Sequence, residues 1–330
     1  MSGVVKIPKK VEKEIRRVAV DNTHGATWLS KRSLEVLADA AQVRGIPSGG
    51  EKLAAYLRAV TLKLRAAQPT MSSLSNHLVR ALARMPGIGG DKPGMSGLDK
   101  PAVLEAVKDE LDSQQQELME LGDYGAKLLA EKFPGKARLI TISASNGVFE
   151  ILRRLEGGSD LVITVAESRP MREGVQFARK LAGLGFEVRL VTDAMLGIET
   201  VGADCVLTGA DTVQSDGSLI NKAGTRLLAL AAKMDKVPFF CCTQTIKVSP
   251  VTDKTGPMIP DQRIRDPEEI QRDATKGITI ENIYFDRTEY FLISGYISEI
   301  GFLRVKEIAE ICDKLARREK RVLGSTGRES

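Results

Sequence analysis

The period of the apolar residues changes once along the chain, and that change limits the folds open to it. Up to about residue 125, apolar residues recur every three or four positions, the spacing of one helix face. "KKVEKEIRRVAVD", "ATWLSKRSLEVLADAAQ" and "EKLAAYLRAVTLKLRAAQ" all follow it. "QPTMSSLSNHLVRALARM" reads as a further helix, its start marked by Pro69 and Thr70. Residues 86–101, "PGIGGDKPGMSGLDKP", are crowded with Gly and Pro and read as a loop, and a long helix follows. After Gly135 the apolar runs become short and β-rich: "ARLITIS", "DLVITVAES", "EVRLVTDA", "CVLTGAD" and "PFFCCT". Helical stretches separate most of them: "NGVFEILRRL", "MREGVQFARKLAGLG" and "AGTRLLALAAKM". Strands alternating with helices make a parallel sheet covered on both faces. The pattern predicts an α/β chain, with a helical N-terminal domain over residues 1–125 and a Rossmann-like doubly wound parallel sheet over 126–330.

In such a sheet, ligands bind beyond the carboxyl ends of the strands. Those ends carry Ser143, Ser145 and Asn146, then Glu167 and Arg169, then Thr192 and Asp193, then Asp211, and finally Gln244 and Lys247. Each residue alone is accounted for by turn or helix-cap chemistry. Their convergence on one edge is the stronger argument for a site. Asn221-Lys222 stands ahead of Gly224 and a helical pattern, and an amide, an ammonium and a helix N-terminus together suit a phosphate. The simpler alternative makes Asn221 a helix cap and leaves Lys222 in solvent.

Composition removes several classes. The net charge of +5 is mild, and many basic residues lie near the ends, in "KKVEKEIRR" and "KLARREKR". With no RNA-binding signature or aromatic platform beside them, they read as solvated helix faces, and no direct nucleic-acid contact is expected. No apolar stretch approaches the ~20 residues of a membrane span, and the N-terminus lacks the apolar core of a signal peptide. Cys205, Cys241, Cys242 and Cys312 lack paired-ligand spacing, so buried thiols in a reducing cytosol are expected, with no metal. There is no G-x-G-x-x-G after the first strand and no phosphate-loop motif, which disfavours a dinucleotide oxidoreductase or an NTPase. No cofactor is expected.

Three stretches carry a more specific message: "ESRPMREGVQFARKLAGLGFEVRLVTDA", "GADTVQSDGSLINKAGTRLLALAAK" and "VPFFCC". In this order and spacing the chain resembles the alpha/beta/delta subunit family of translation initiation factor 2B. That superfamily also holds ribose-1,5-bisphosphate isomerase and methylthioribose-1-phosphate isomerase. The resemblance runs from about residue 15 to residue 312 and takes in "RDPEEI" and "YFDRTEYFLISGYISEIG". It implies a helical domain before a Rossmann-like one, with pairing through the C-terminal domain and, in some members, assembly into hexamers.

The resemblance also implies an isomerase site, from which this sequence departs. The isomerases pair a cysteine at the end of the first sheet strand with the aspartate of "GAD". Here Asp211 is kept and Ala144 stands at the cysteine's place. Their Arg-Gly-Ala-Gly-like phosphate turn reads His24-Gly25-Ala26-Thr27, with a mostly neutral histidine for the permanent cation. Gln68 occupies the position of another phosphate-binding arginine. The resemblance therefore points to a regulatory subunit, cytoplasmic and archaeal in type, with a pocket for a phosphorylated sugar or nucleotide. The pocket would draw on the residues of that turn, Ser145, Asn146, Glu167, Arg169, Asp211, Asn221, Lys222 and Lys247. The alternative is an aldose–ketose isomerase of the ribose-1,5-bisphosphate or methylthioribose-1-phosphate type, in which Asp211 would be catalytic. Expected protein partners are translation initiation factor 2 and further copies of the chain, as a homodimer or hexamer. "TEYFLISGYISEIGFL", with Phe291, Leu292, Ile293, Tyr296, Ile297, Ile300 and Phe302, should be partly core and partly a self-association surface.

Overall fold

The computed structural model describes residues 5–21, 25–69, 71–88, 97–156, 160–250, 265–272 and 276–324. The chain divides into two compact units, one of Met1–Gln116, Ile246–Pro250 and Ile311–Ser330, the other of Glu117–Thr245 and Val251–Glu310.

The first unit is helical. It contains α1 (Lys9–Val20), α2 (Ala26–Gln42), α3 (Gly50–Ala67), α4 (Ser72–Arg84) and the first half of α5 (Lys100–Lys132). On α1, Val11, Ile15 and Val18 are buried, at the spacing of one face. They join a core in which Leu29, Leu34, Leu37, Leu53, Leu57, Leu64, Leu74, Leu78 and Leu82 are fully buried. Two boundaries differ from the sequence expectation. Helix α4 starts at Ser72 rather than at Pro69, and Thr70 lies outside the described residues. Helix α5 starts inside the expected loop, whose residues 89–96 also lie outside the described ones. Asp99 explains the early start: its carboxylate accepts the Ala102 amide at 2.9 Å, and Pro101 falls in the first turn, where no N–H is needed.

The second unit is built on a sheet. After α5 come β1 (Ala137–Thr141), α6 (Asn146–Arg153), β2 (Leu161–Ala166), α7 (Glu173–Gly183), β3 (Glu187–Val191), α8 (Leu196–Glu199) and β4 (Cys205–Thr208). Then follow β5 (Thr212–Val213), β6 (Leu219–Lys222), α9 (Thr225–Met234), β7 (Phe239–Cys242), β8 (Phe285–Thr288), β9 (Gly295–Ser298), β10 (Gly301–Leu303) and α10 (Val305–Leu323), whose last part belongs to the first unit. The main sheet has the order β10-β9-β7-β4-β1-β2-β3. All its pairings are parallel except that of β10 with β9. This is the doubly wound arrangement, with the order reversing between β1 and β4. Strand β2, in the interior, is buried at every residue, whereas the edge strand β3 leaves Glu187, Arg189 and Leu190 exposed. The fold class read from the period of the sequence is therefore the one observed.

A second sheet was not expected. β5, β6 and β8 pair antiparallel, which places Asn221 and Lys222 in a strand rather than at a helix mouth. Its sequence signal is the Asp216-Gly217 turn, with Gly217 at φ +84°. Strand β5 is only two residues long and has no period of its own.

One glycine sets how closely α7 approaches the sheet. A Cβ on Gly174 would run into the carbonyl of Ala166, the last residue of β2, and the backbone there has nowhere to yield. Gly174→Ala should therefore cost about 3 kcal/mol as forced overpacking. The midpoint of urea unfolding checks this, and a midpoint equal to wild type would show that α7 moves freely off β2.

Candidate functional site

The connections after β1 and β4 meet where the sheet order reverses. Gly209, just past β4, lies so close to Ser145 that an added Cβ would overlap the hydroxyl. Ser145 caps α6 by accepting the Val148 amide at 3.3 Å, and Asn146 is exposed at the first position of that helix. Ser143 donates its amide to the Ser168 hydroxyl at 2.8 Å and its own hydroxyl to Glu173 at 3.0 Å. Asp211 is half-buried, and its amide donates to the Ile220 carbonyl at 3.0 Å.

The connections after β1 and β2 are strained. Ser143, Ser168 and Arg172 have φ of 65°, 64° and 57°, three of the four non-glycine residues in the left-handed region among the described residues. Such conformations persist where surrounding bonds over-determine them, and they gather at functional sites. Asp193 accepts the Ser168 and Arg169 amides at 2.8 Å each, while Ser168 accepts the Ser143 amide on its hydroxyl and the Arg172 amide on its carbonyl, both at 2.8 Å. Glu167 accepts from Arg172 at 3.0 Å, and the exposed Arg169 guanidinium donates to the Ile270 carbonyl at 3.4 Å.

Lys222 is placed differently from the sequence expectation. It is buried, with 7% of its surface exposed, so it is not a solvated helix-start residue. Its ammonium lies 2.6 Å from Glu173 Oε1 and 4.3 Å from the centre of the Tyr284 ring. An ion pair and an aromatic face together stabilise a cation withdrawn from water. The Arg265 guanidinium also lies over Tyr284, at 5.3 Å. Burial, first, and a hydrogen bond to Glu269 push the Tyr284 phenol up, so it stays protonated and donates to that carboxylate.

The N-terminus of α9 is likewise already engaged. The Gly224 amide donates to Asp286 Oδ2 at 2.8 Å and the Arg226 amide at 3.1 Å. An internal carboxylate holds the position where the sequence suggested a phosphate, and it arrives there because β8 pairs with β6 so that Asp286 faces Asn221. Asn221 turns inward, donating to Thr225 Oγ1 at 3.0 Å, which in turn donates to the Lys222 carbonyl at 2.6 Å.

The remaining candidates belong to the first unit. His24 lies outside the described residues; Gly25 is the N-cap of α2, Ala26 is buried, and Thr27 follows in the first turn. Gln68, at the place of the expected arginine, is buried and donates to the Val18 carbonyl at 2.9 Å, with Ala19 and Asp21 at 3.4 Å each. Its amide therefore satisfies carbonyls at the end of α1. Lys247 ends a short 3-10 turn, Thr245–Lys247, while Gln244, in the second unit, is buried. Among the described residues no group of three His, Cys, Asp or Glu is placed to hold a metal, and no helix is long and apolar enough to cross a membrane. Glu173, Tyr284, Asp286 and Arg265 were missed by the sequence reading. Glu173 and Arg265 sit in the recognised "ESRPMREG" and "RDPEEI" stretches, but nothing in the spacing marks them as neighbours of Lys222.

Comparison with known proteins gives four findings. A model of the Initiation factor 2 subunit family matches residues 22–305. A Pyrococcus horikoshii protein called translation initiation factor eIF-2B subunit 2-like is 31% identical over 90% of this chain and 97% of its own. The ribose 1,5-bisphosphate isomerase of Methanocaldococcus jannaschii is 30% identical over 73% of this chain and 74% of its own. Among solved structures, the translation initiation factor eIF-2B of P. horikoshii OT3 superposes with a TM-score of 0.74 at 26% identity, covering 90% of this chain and 97% of that one.

Asp286 makes the site's stability depend on pH. Burial raises its carboxyl from 3.8 to about 6, although the two amides and Arg226 favour the charged form. The folded value lies above the unfolded one, so the folded state holds the proton more tightly between them. This group's contribution is fully present below about pH 4 and is lost as the pH rises through about 6, by on the order of 3 kcal/mol. Relative to Asp286→Asn, which does not titrate, the wild type should lose stability across that window. Denaturant melts of both proteins at several pH values test this, and a constant difference between them would refute it.

Proposed function

The chain belongs to the Initiation factor 2 subunit family, and on that footing we propose that it is an initiation factor 2B-like regulatory subunit whose sheet edge binds a phosphorylated sugar or nucleotide without isomerising it. The observation that carries this reading is the β1–α6 connection. Aldose–ketose isomerisation needs two titratable groups about the reacting carbons. Opposite Asp211 this connection offers Ser143, whose hydroxyl is committed to Glu173, then Ala144, and then Ser145, which caps α6. An unactivated hydroxyl is a poor base. Lys222, Asn221, Arg169 and Glu167 remain as recognition groups, the first of them restrained by Glu173. In this reading translation initiation factor 2 is the protein partner. The buried free thiols of Cys205, Cys241, Cys242 and Cys312 fit a cytoplasmic protein.

A second reading, an isomerase, has one observation in its favour. Glu173 is itself a titratable group 3.0 Å from Ser143 Oγ, and its second oxygen is buried with no hydrogen-bond partner among the described residues. Phosphorus NMR of the protein with ribose-1,5-bisphosphate separates the two readings. The expected result is binding without conversion, tightened about tenfold in Glu173→Gln, because that change frees the Lys222 ammonium for a charge-assisted contact. Conversion by the wild type that is lost in both Asp211→Asn and Glu173→Gln would establish the isomerase instead. Unchanged affinity in Glu173→Gln would remove Lys222 from the binding site.

Self-association through the second unit is part of the same proposal. On α9, Leu227, Leu230 and Met234 share one face and are 57%, 38% and 82% exposed. Beside that helix lie α8, with Ile198 exposed and Val201 exposed just after it, and the turn of Tyr290 and Phe291, also exposed. This apolar surface continues the stretch expected to be divided between core and contact, in which Leu292, Tyr296 and Ile297 are buried. A second copy of the chain is its proposed occupant. Light scattering at micromolar protein should give at least a dimer mass, and Leu227→Asp combined with Phe291→Asp should reduce it to a monomer. A monomeric wild type would overturn this.

A further inference from the structure

Arg265 opens the stretch "RDPEEI", in which Asp266 caps the short turn Pro267–Glu269 by accepting the Glu268 amide at 3.0 Å. The residues ahead of β8 hold this turn in place. The Arg265 amide donates to the Asn282 carbonyl at 2.8 Å. In return the buried Asn282 side chain donates to the Asp266 carbonyl at 2.7 Å and to Glu269 Oε2 at 2.8 Å. The Tyr284 hydroxyl donates to the same carboxylate. With its backbone fixed in this way, Arg265 lays its guanidinium over the Tyr284 ring, 5.3 Å from the centre.

The same ring carries the Lys222 ammonium at 4.3 Å, but the two cations differ in their partners. Lys222 has Glu173 at 2.6 Å. Arg265 is paired with no carboxylate among the described residues, and its Nε is buried without a hydrogen-bond partner there. Glu269, of its own stretch, is committed to Tyr284 and Asn282. Arg265 also borders the strand ends. From the ring, contacts run through Lys222 and Glu173 to Ser143, just past β1, and Arg169 after β2 reaches the Ile270 carbonyl at 3.4 Å. A half-buried guanidinium with no anion beside it is costly. The aromatic face holds it in one plane, and its fork of donors suits two oxygens of one phosphate.

We propose that Arg265 takes the phosphate group of a phosphorylated sugar or nucleotide at this edge. It gives the anion a first contact that displaces no carboxylate, whereas Lys222 and the mouth of α9 are reached only in competition with Glu173 and Asp286. The inference rests on the reading of the edge as a site for such a ligand.

Phosphorus NMR of the full chain titrated with ribose 5-phosphate tests it. The wild type should bind, and Arg265→Gln should weaken binding about tenfold or more. Arg265→Lys, which keeps the charge without the fork, should recover part of that loss. A cation beside the phosphate favours its dianion, so the bound resonance should titrate at higher pH in Arg265→Gln than in the wild type. Weaker binding with an unshifted titration would make Arg265 a packing residue of Tyr284 and overturn the proposal. If Arg265→Gln does not fold, Arg265→Met, which keeps an apolar stem on the ring, carries the same comparison. Affinity lowered by Lys222→Met but equal to wild type in Arg265→Gln would overturn the assignment of Arg265 and leave the sheet-edge reading standing. A wild type that binds neither ribose 5-phosphate nor ribose-1,5-bisphosphate would remove both.

Discussion

A cation withdrawn from water needs an anion or an aromatic face beside it. In the second unit this requirement ties Lys222 of β6 to Glu173 of α7 and to Tyr284 ahead of β8. Three separate stretches of chain therefore have to arrive together. The close approach of Gly174 to Ala166 sets the depth at which Glu173 sits, and the β6–β8 register sets where Tyr284 lies relative to Lys222. The helical unit solves the same problem with the signs exchanged, gathering His77, Arg80 and Arg84 around one buried Glu110.

The consequence for function is that much of the anion-binding capacity of the sheet edge is already used within the chain. The amides opening α9 hold Asp286, and the ammonium holds Glu173. A phosphorylated ligand would have to compete with both carboxylates. In the proposed reading, competition of that kind would make affinity depend on the charge of those two carboxylates. Strain at Ser143, Ser168 and Arg172 lies on the same connections and gives the edge a conformation that only its internal bonds maintain.

Much of the fold was legible because periodicity is a local property. Helical spacing on α1 to α4 and β-rich runs for β1, β2, β3, β4 and β7 follow from which residues must face a core. The recognised "GAD" stretch put Asp211 just past a strand, where it lies, whereas the Asn-Lys stretch, expected at a helix mouth, closes β6. The second sheet escaped notice because β5 is two residues long and β8 lies more than sixty positions beyond β6, so that no local pattern joins them. The simpler alternative, Lys222 in solvent, fails for a related reason: exposure depends on what packs from elsewhere.

By itself the sequence determined the class of fold and the family, because both are written in residue identity and short-range spacing. Only the tertiary structure decided that Lys222 is buried against Glu173 and that Asp286 fills the mouth of α9. Charge pairing is a property of distance in space, and the partners here are brought within 3 Å by strand register and helix packing over separations that no window of sequence spans.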